Sequence, residues 1–205
     1  MADKRQAPAS AIILAGGQSR RLGREKALLE IAGQPLLART VHTLAPLSND
    51  IVVFTNQPAR YANLNLPVRF VPDDQAGVGS LMAIYSGIKA ARHPWALTVA
   101  CDMPFLNTDL LRYMLSLTPG YDVVIPHLPE GLEPLHAIYN HRCRSPMGRL
   151  LAQGHRKIIA FFPEVRVRYV TEEEIDLFDP QRRSFINVNT PQDWERVQRM
   201  LATEG

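Results

Sequence analysis

Leu14-Ala15-Gly16-Gly17-Gln18-Ser19-Arg20-Arg21-Leu22-Gly23-Arg24-Glu25-Lys26, entered from the apolar run Ala11-Ile12-Ile13-Leu14, decides how this chain is read. The apolar run reads as a buried first strand. Glycine lets the backbone that follows take positive φ and come close to a ligand. Successive N–H groups in such a loop form a concave anion site, and the arginines and Lys26 add full charges suited to phosphate oxygens. A strand ending in such a loop is built to hold a nucleoside triphosphate. It is not a Walker A loop, because no Gly-Lys-Ser or Gly-Lys-Thr follows at the required spacing, and the dinucleotide pattern G-x-G-x-x-G is absent. The plain alternative is a glycine-rich turn with basic surface residues. Glycines and cations falling together directly after the first strand favour the phosphate reading.

A chain of 205 residues, 46% hydrophobic and 21% charged, fits one soluble globular domain. Met1 to Ser10 is polar and reads as a flexible leader, with 11–205 as a single domain. The leader has no apolar core of a secretory signal, and no run of about 18 apolar residues would span a membrane. Two cysteines, Cys101 and Cys143, form no CxxC, so reduced thiols in the cytoplasm are expected. The six histidines show no HExxH and no zinc spacing. A net charge of +3 suits an anionic small molecule. No basic block interleaved with aromatics supports nucleic-acid binding.

Strand-like and helix-like segments alternate. Strands are predicted at Ala11–Leu14, Ile51–Thr55, Val68–Val71, Ala96–Ala100 and Asp122–Ile125. Helices are predicted at about Leu36–Leu44, Ser80–Ala91 and from Thr108-Asp109, read as its cap, to Leu117. This order implies a mainly parallel sheet covered by helices on both faces. Further on, Leu135–Tyr139 reads as a strand, Ser145–Gln153 as a short helix and Val165–Val170 as an edge or half-exposed strand. Thr190 as N-cap and Pro191 at the first helical position open a last helix through Met200.

Ligands of open α/β sheets bind beyond the carboxyl ends of the strands, and polar residues collect there. Asp102 follows the buried run Ala96–Ala100 and offers a hard oxygen of the kind Mg²⁺ prefers. A helix-capping role is the alternative, for which 107–109 are better placed. Cys101 reads as a packed strand residue rather than a nucleophile. Asn56 ends the second strand with an amide able to read a base edge or a ribose, or else simply to turn the chain. Ser80 follows small residues at a turn and can cap the next helix. Glu133-Pro134-Leu135-His136-Ala137-Ile138-Tyr139 reads as a turn and an alternating strand, with His136 either a substrate contact or a structural residue. Asn187 and Asn189 alternate, so an extended segment would point both amides to one side; capping of the final helix explains Thr190 and Pro191 but not this pair. His155-Arg156-Lys157 is a short cationic cluster, open to reading as a solvated turn.

The opening loop resembles L-A-G-G-x-x-x-R-(M/L)-G-x-x-K, the signature of nucleotidyltransferases with a Rossmann-like fold, and within them the molybdenum cofactor guanylyltransferases of the MobA family. Asp102-Met103-Pro104, the Glu133–Tyr139 element and Phe185-Ile186-Asn187-Val188-Asn189-Thr190-Pro191-Gln192-Asp193 match further family motifs in the right order. Two departures stand out: the family commonly reads G-G-x-D-K where Leu22–Lys26 is shorter, and Ser80 replaces the usual proline. The resemblance implies a three-layer fold of the nucleotide-diphospho-sugar transferase type. It implies transfer of GMP from GTP to molybdenum-molybdopterin with release of pyrophosphate, using Mg²⁺ on Asp102. Arg21 and Lys26 would steady the triphosphate. Leu14, Ala15, Gly16, Gly17, Asn56 and Asp73 (Asp74 as fallback) would line the nucleotide. His136, Lys157, Asn187 and Asn189 would face the acceptor. Transient contact with molybdoenzymes or cofactor-delivery proteins follows in the same way. Two other readings remain open here. One is a molybdopterin cytidylyltransferase or another nucleotidyltransferase acting on a phosphorylated acceptor, although cytidylyltransferases usually read L-A-A-G. The other is a non-catalytic nucleotide or cofactor carrier.

Overall fold

The first strand lies inside the sheet, as its unbroken apolar run requires. The computed structural model describes residues 8–15, 25–72 and 79–202. Its strands are β1 (Ala9–Leu14), β2 (Glu30–Ile31), β3 (Gln34–Pro35), β4 (Ile51–Phe54), β5 (Arg69–Val71), β6 (Trp95–Ala100), β7 (Val123–Leu128), β8 (Gly131–Leu132), β9 (His136–Asn140) and β10 (Val167–Val170). Its α-helices are α1 (Leu36–Leu44), α2 (Ser80–Ala90), α3 (Thr108–Ser116), α4 (Arg144–Ala152), α5 (Glu172–Asp176) and α6 (Pro191–Ala202).

The main sheet runs β10-β7-β9-β6-β1-β4-β5, with β8 hairpinned onto β7. β1 pairs in parallel with β4 and β6, β4 with β5, and β10 with β7. Only β9 and the small β8 run against their neighbours. β9 follows β7 through a short connection, and a short connection between paired strands forces opposite directions. β10 takes the edge, as its alternation of apolar and basic residues predicts.

Side chains alternate across the sheet and build two cores. Ala11 and Ile13 of β1, Leu97 and Val99 of β6 and Ile138 of β9 pack with Leu37, Val41, Leu110 and Met114 from α1 and α3. Ile12, Ala96, Ala137 and Tyr139 face Leu81, Ile84 and Met147 from α2 and α4. A smaller third core joins Leu29, Ile31 and Leu36 to Val188 and Val197, so that α6 docks against the β2–β3 hairpin.

Three expectations shift. β1 begins at Ala9, so Ala9 and Ser10 belong to the sheet rather than to a leader. Ser10 Oγ donates to Asp50 Oδ2 at 2.6 Å. Burial would push the Asp50 carboxyl up, but the Ser10 hydroxyl, the Arg92 N–H and the Arg69 guanidinium outweigh it and hold the carboxyl below its ordinary range. Asn107, not Thr108-Asp109, caps α3: its side chain accepts from Asp109 N at 2.9 Å and Leu110 N at 3.0 Å. The N-cap of α2 is Gly79 at φ +121°, a conformation that favours glycine, and Ser80 is already helical. Among the described residues no helix is long and apolar enough to cross a membrane.

α2 packs so closely on β1 that a Cβ on Gly87 would sit 2.8 Å from Cγ2 of the fully buried Ile12. Isoleucine is stiff at that branch and cannot swing aside. Gly87→Val is therefore expected to destabilise the protein by about 2–3 kcal/mol and lower the thermal midpoint by about 5–10 °C, read by calorimetry or circular dichroism.

Candidate active site

The carboxyl ends of β1, β4 and β6 meet in one rim. Cys101 N donates to Leu14 O at 3.2 Å, Ala15 N to Phe54 O at 3.3 Å, and Ala100 N to Leu135 O at 3.2 Å. This aligns Leu14 and Ala15, Thr55 and Asn56, Cys101 and Asp102, and the start of β9. Asn56 is exposed on the rim, one residue beyond Thr55, whose N–H donates to Val71 O at 3.0 Å. Gly16, Gly17, Arg21, Asp73 and Asp74 lie outside the described residues.

One side chain ties the rim together. Lys26 opens a single 3₁₀ turn, Lys26–Leu28. Its Nζ donates to Asp102 Oδ2 at 2.8 Å and to Asn189 Oδ1 at 2.6 Å. The Lys26 and Asp102 side chains are 18% and 17% exposed, sheltered enough to hold a shape and open enough for a ligand to reach. Asn189 is delivered by its backbone. Val188 N donates to Asp102 O at 2.9 Å, and the Val188 side chain is buried in the third core. Asp193 Oδ2 accepts from Asn189 N at 2.9 Å and Thr190 N at 2.8 Å, while Thr190 Oγ1 accepts from Asp193 N at 3.2 Å. This reciprocal cap starts α6 as predicted. The Asn189 N–H is the first cause holding the Asp193 carboxyl below its ordinary range.

Lys26, Asp102 and Asn189 are thus brought together from three distant segments. Asn187 is adjacent but engaged differently: its Nδ2 donates to Phe185 O at 3.2 Å. Lys157 is exposed, in a basic turn whose Arg156 Cβ lies 3.7 Å from where a Cβ on Gly79 would stand. That turn therefore borders the start of α2.

His136 lies inside the sheet rather than on the rim. It is fully buried in β9 with its ring 4.8 Å from that of Phe185. All five residues of β9 are buried, because the strand lies between β6 and β7 with both faces covered. Cys101 is buried as expected. Burial first, then the neighbouring Asp102, pushes its thiol up to about 12, which removes it as a nucleophile at neutral pH.

Sequence reading missed a group around the turn. The Tyr61 hydroxyl donates to Glu25, and Arg60 pairs with the same carboxylate. The Glu-Lys dipeptide is the only local sign of it. Among the described residues no three His, Cys, Asp or Glu side chains gather to form a metal cage.

Neither ring nitrogen of His136 has a hydrogen-bond partner among the described residues. Burial pulls its pKa down to about 4, against Asp179, which raises it. Below the ordinary value of 6.5 the unfolded chain takes up a proton that the folded ring refuses. Stability is then level above pH 6.5 and falls as the pH drops from 6.5 towards 4. Urea unfolding of wild type and His136→Phe at pH 7, 6 and 5 is expected to show a slope that is steeper by up to one proton in the wild type.

Comparison with known proteins agrees with this geometry. The family model of the MobA-like NTP transferase domain matches residues 11–169. The chain is 39% identical to a protein of Pelotomaculum thermopropionicum named "Probable molybdenum cofactor guanylyltransferase", over 90% of this chain and 89% of that one. It is 35% identical to the molybdenum cofactor guanylyltransferase of Desulfosudis oleivorans, over 91% and 93% respectively. The crystal structure of molybdopterin-guanine dinucleotide biosynthesis protein A from Archaeoglobus fulgidus superposes with a TM-score of 0.80 at 27% identity, covering 95% of this chain and 99% of that one. With a mainly parallel sheet whose strand ends gather Lys26 and Asp102 on one rim, and its sequence matched over most of its length, the chain belongs to the MobA-like NTP transferase family.

Proposed function

We propose that this protein transfers GMP from GTP to molybdenum-bound molybdopterin, releasing pyrophosphate. The observation that carries the reading is the Lys26 ammonium shared between Asp102 at the end of β6 and Asn189 before α6. An ammonium has three donors. Two are engaged here, which leaves one for a triphosphate oxygen without surrendering either partner. The names of the relatives supply guanylyl transfer and the molybdenum cofactor, and that of the similar structure supplies molybdopterin.

A terminal phosphate oxygen of the acceptor attacks the α-phosphorus of GTP in line. The bond from that phosphorus to the bridging oxygen breaks, and pyrophosphate leaves. The attacking phosphate is already ionised at neutral pH, so no general base is assigned. The work of the protein is positioning and charge neutralisation. Lys26 and Arg21 hold the triphosphate and the leaving pyrophosphate, and the backbone at Leu14, Ala15, Gly16 and Gly17 cradles it. Asn56 and Asp73 take the nucleoside. Asn187, Asn189 and Lys157 lie on the acceptor's side. Two buried unpaired thiols, Cys101 and Cys143, support work in the reducing cytoplasm.

Asp102 suits Mg²⁺ because that ion is commonly held by one or two carboxylates, with substrate phosphates and waters completing its shell. Oδ2 receives Lys26, and the side chain is 17% exposed, within reach of an ion. Asp102 would hold Mg²⁺, which would supply neutralisation of the charge on the triphosphate and on the leaving pyrophosphate.

Calorimetric titration with GTP, CTP and ATP in the presence of Mg²⁺ is expected to show preference for GTP. A preference for CTP would overturn the base assignment, and pyrophosphate release on adding acceptor separates an enzyme from a carrier. Asp102→Asn is expected to lower Mg²⁺-dependent turnover at least about a hundredfold. Its thermal midpoint should stay close to wild type, because a partly exposed ion pair contributes only about 0–1 kcal/mol. Wild-type activity in that variant would sink the metal assignment.

A further inference from the structure

Glu25 is the last residue before Lys26, and its carboxylate is gripped from another part of the chain. The Tyr61 hydroxyl donates to Oε1, and the Arg60 guanidinium pairs with Oε2. Tyr61 is 1% exposed and stacks on Phe70 with ring centroids 5.9 Å apart. Its hydroxyl is therefore set by a ring that cannot move without opening the core. Burial, followed by the Glu25 carboxylate itself, pushes the phenol's pKa up. The proton stays on the phenol, and the bond runs from Tyr61 to Glu25. Arg60 reaches in from the rim with a side chain 56% exposed and balances the carboxylate's charge beside a site meant for anions.

The grip lies next to chemistry on both sides. Glu25 O accepts from Leu28 N at 3.1 Å, closing the turn that Lys26 opens. Glu25 is thus held by side chain and backbone together. Arg60 and Tyr61 belong to the 3₁₀ segment Pro58–Leu64, which starts two residues after Asn56. One carboxylate therefore ties the phosphate end of the site to the stretch that follows the nucleoside end. A lysine on a four-carbon stem gives up much rotamer freedom when its charge is held in one place. Fixing the backbone just before it removes part of the cost of aiming its charge.

We propose that Glu25 is a positioning residue: gripped by Tyr61 and Arg60, it aims Lys26 at the triphosphate of the bound nucleotide. This rests on the reading of Lys26 as a triphosphate ligand.

The test is a double-mutant cycle on the full chain, with calorimetric binding of inorganic tripolyphosphate and, separately, of guanosine. Tyr61→Phe keeps the stacked ring and removes the donor. It is expected to weaken tripolyphosphate binding about tenfold and leave guanosine binding unchanged. In the Lys26→Ala background Tyr61→Phe should cost nothing more, because its effect passes through Lys26. Glu25→Gln keeps an acceptor for the phenol and should retain most of the affinity, whereas Glu25→Ala should not. Additive losses in the cycle, or equal losses for guanosine and tripolyphosphate, would mean general loosening and overturn the proposal. If Lys26→Ala weakens tripolyphosphate binding but Tyr61→Phe does not, only the clamp fails. If Lys26→Ala has no effect, the triphosphate reading of Lys26 fails and takes the clamp with it. Should Tyr61→Phe not fold, Arg60→Ala and Glu25→Ala at the rim carry the same cycle.

Discussion

The ion pair between Lys26 and Asp102 is the point through which the site is assembled. It is a poor source of stability. A pair about one-sixth exposed gains Coulomb energy but loses hydration, and such pairs contribute little net. The fold is carried by the two apolar layers against the sheet and by the small core under α6. What the pair contributes is alignment. It brings the Lys26 turn, the end of a central strand and the approach to the last helix to one nitrogen atom.

That alignment depends on a stiff platform. β1, β4 and β6 run in parallel, so their carboxyl ends fall on one side and set residues 14–15, 55–56 and 101–102 on a common rim. β9, inserted between β6 and β7, adds its amino end to the same rim because it runs the other way. The buried hydrogen-bonded strands leave little room for adjustment. The adaptable parts are the turns above them: the Lys26 turn with its Glu25 grip, the segment from Phe185 to Thr190, and the basic turn beside Gly79.

Much of this was legible in the amino-acid order. Unbroken apolar runs identified the central strands, the carboxylate after one of them singled out Asp102, the loop after β1 pointed to Lys26, and alternation before the last helix pointed to Asn187 and Asn189. Other parts were not legible, for physical reasons. His136 sits in an apolar run, and a run does not say whether its one polar member is packed or presented; both faces of β9 are covered, and that is a property of the sheet order. The cap of α3 moved by one residue because Asn107, Thr108 and Asp109 are all capping types, and only backbone geometry selects among them. The grip of Tyr61 and Arg60 on Glu25 joins residues 36 and 35 positions apart across segments with no periodic pattern. Spacing carries no signal of such a pair.

The distance in sequence between Lys26 and Asn189 also has a temporal meaning. They are separated by 163 residues, so a ribosome working at about 5–20 residues per second makes the second roughly 8–30 s after the first. During that interval the nascent chain carries the Lys26 turn, and later the strand-end carboxylate of Asp102, without the segment that completes them. The third corner of the site arrives only when the final helix emerges and docks on the β2–β3 hairpin. The Lys26 corner is therefore made well before the Asn189 corner, and the three-way contact waits for the final helix to be made and docked.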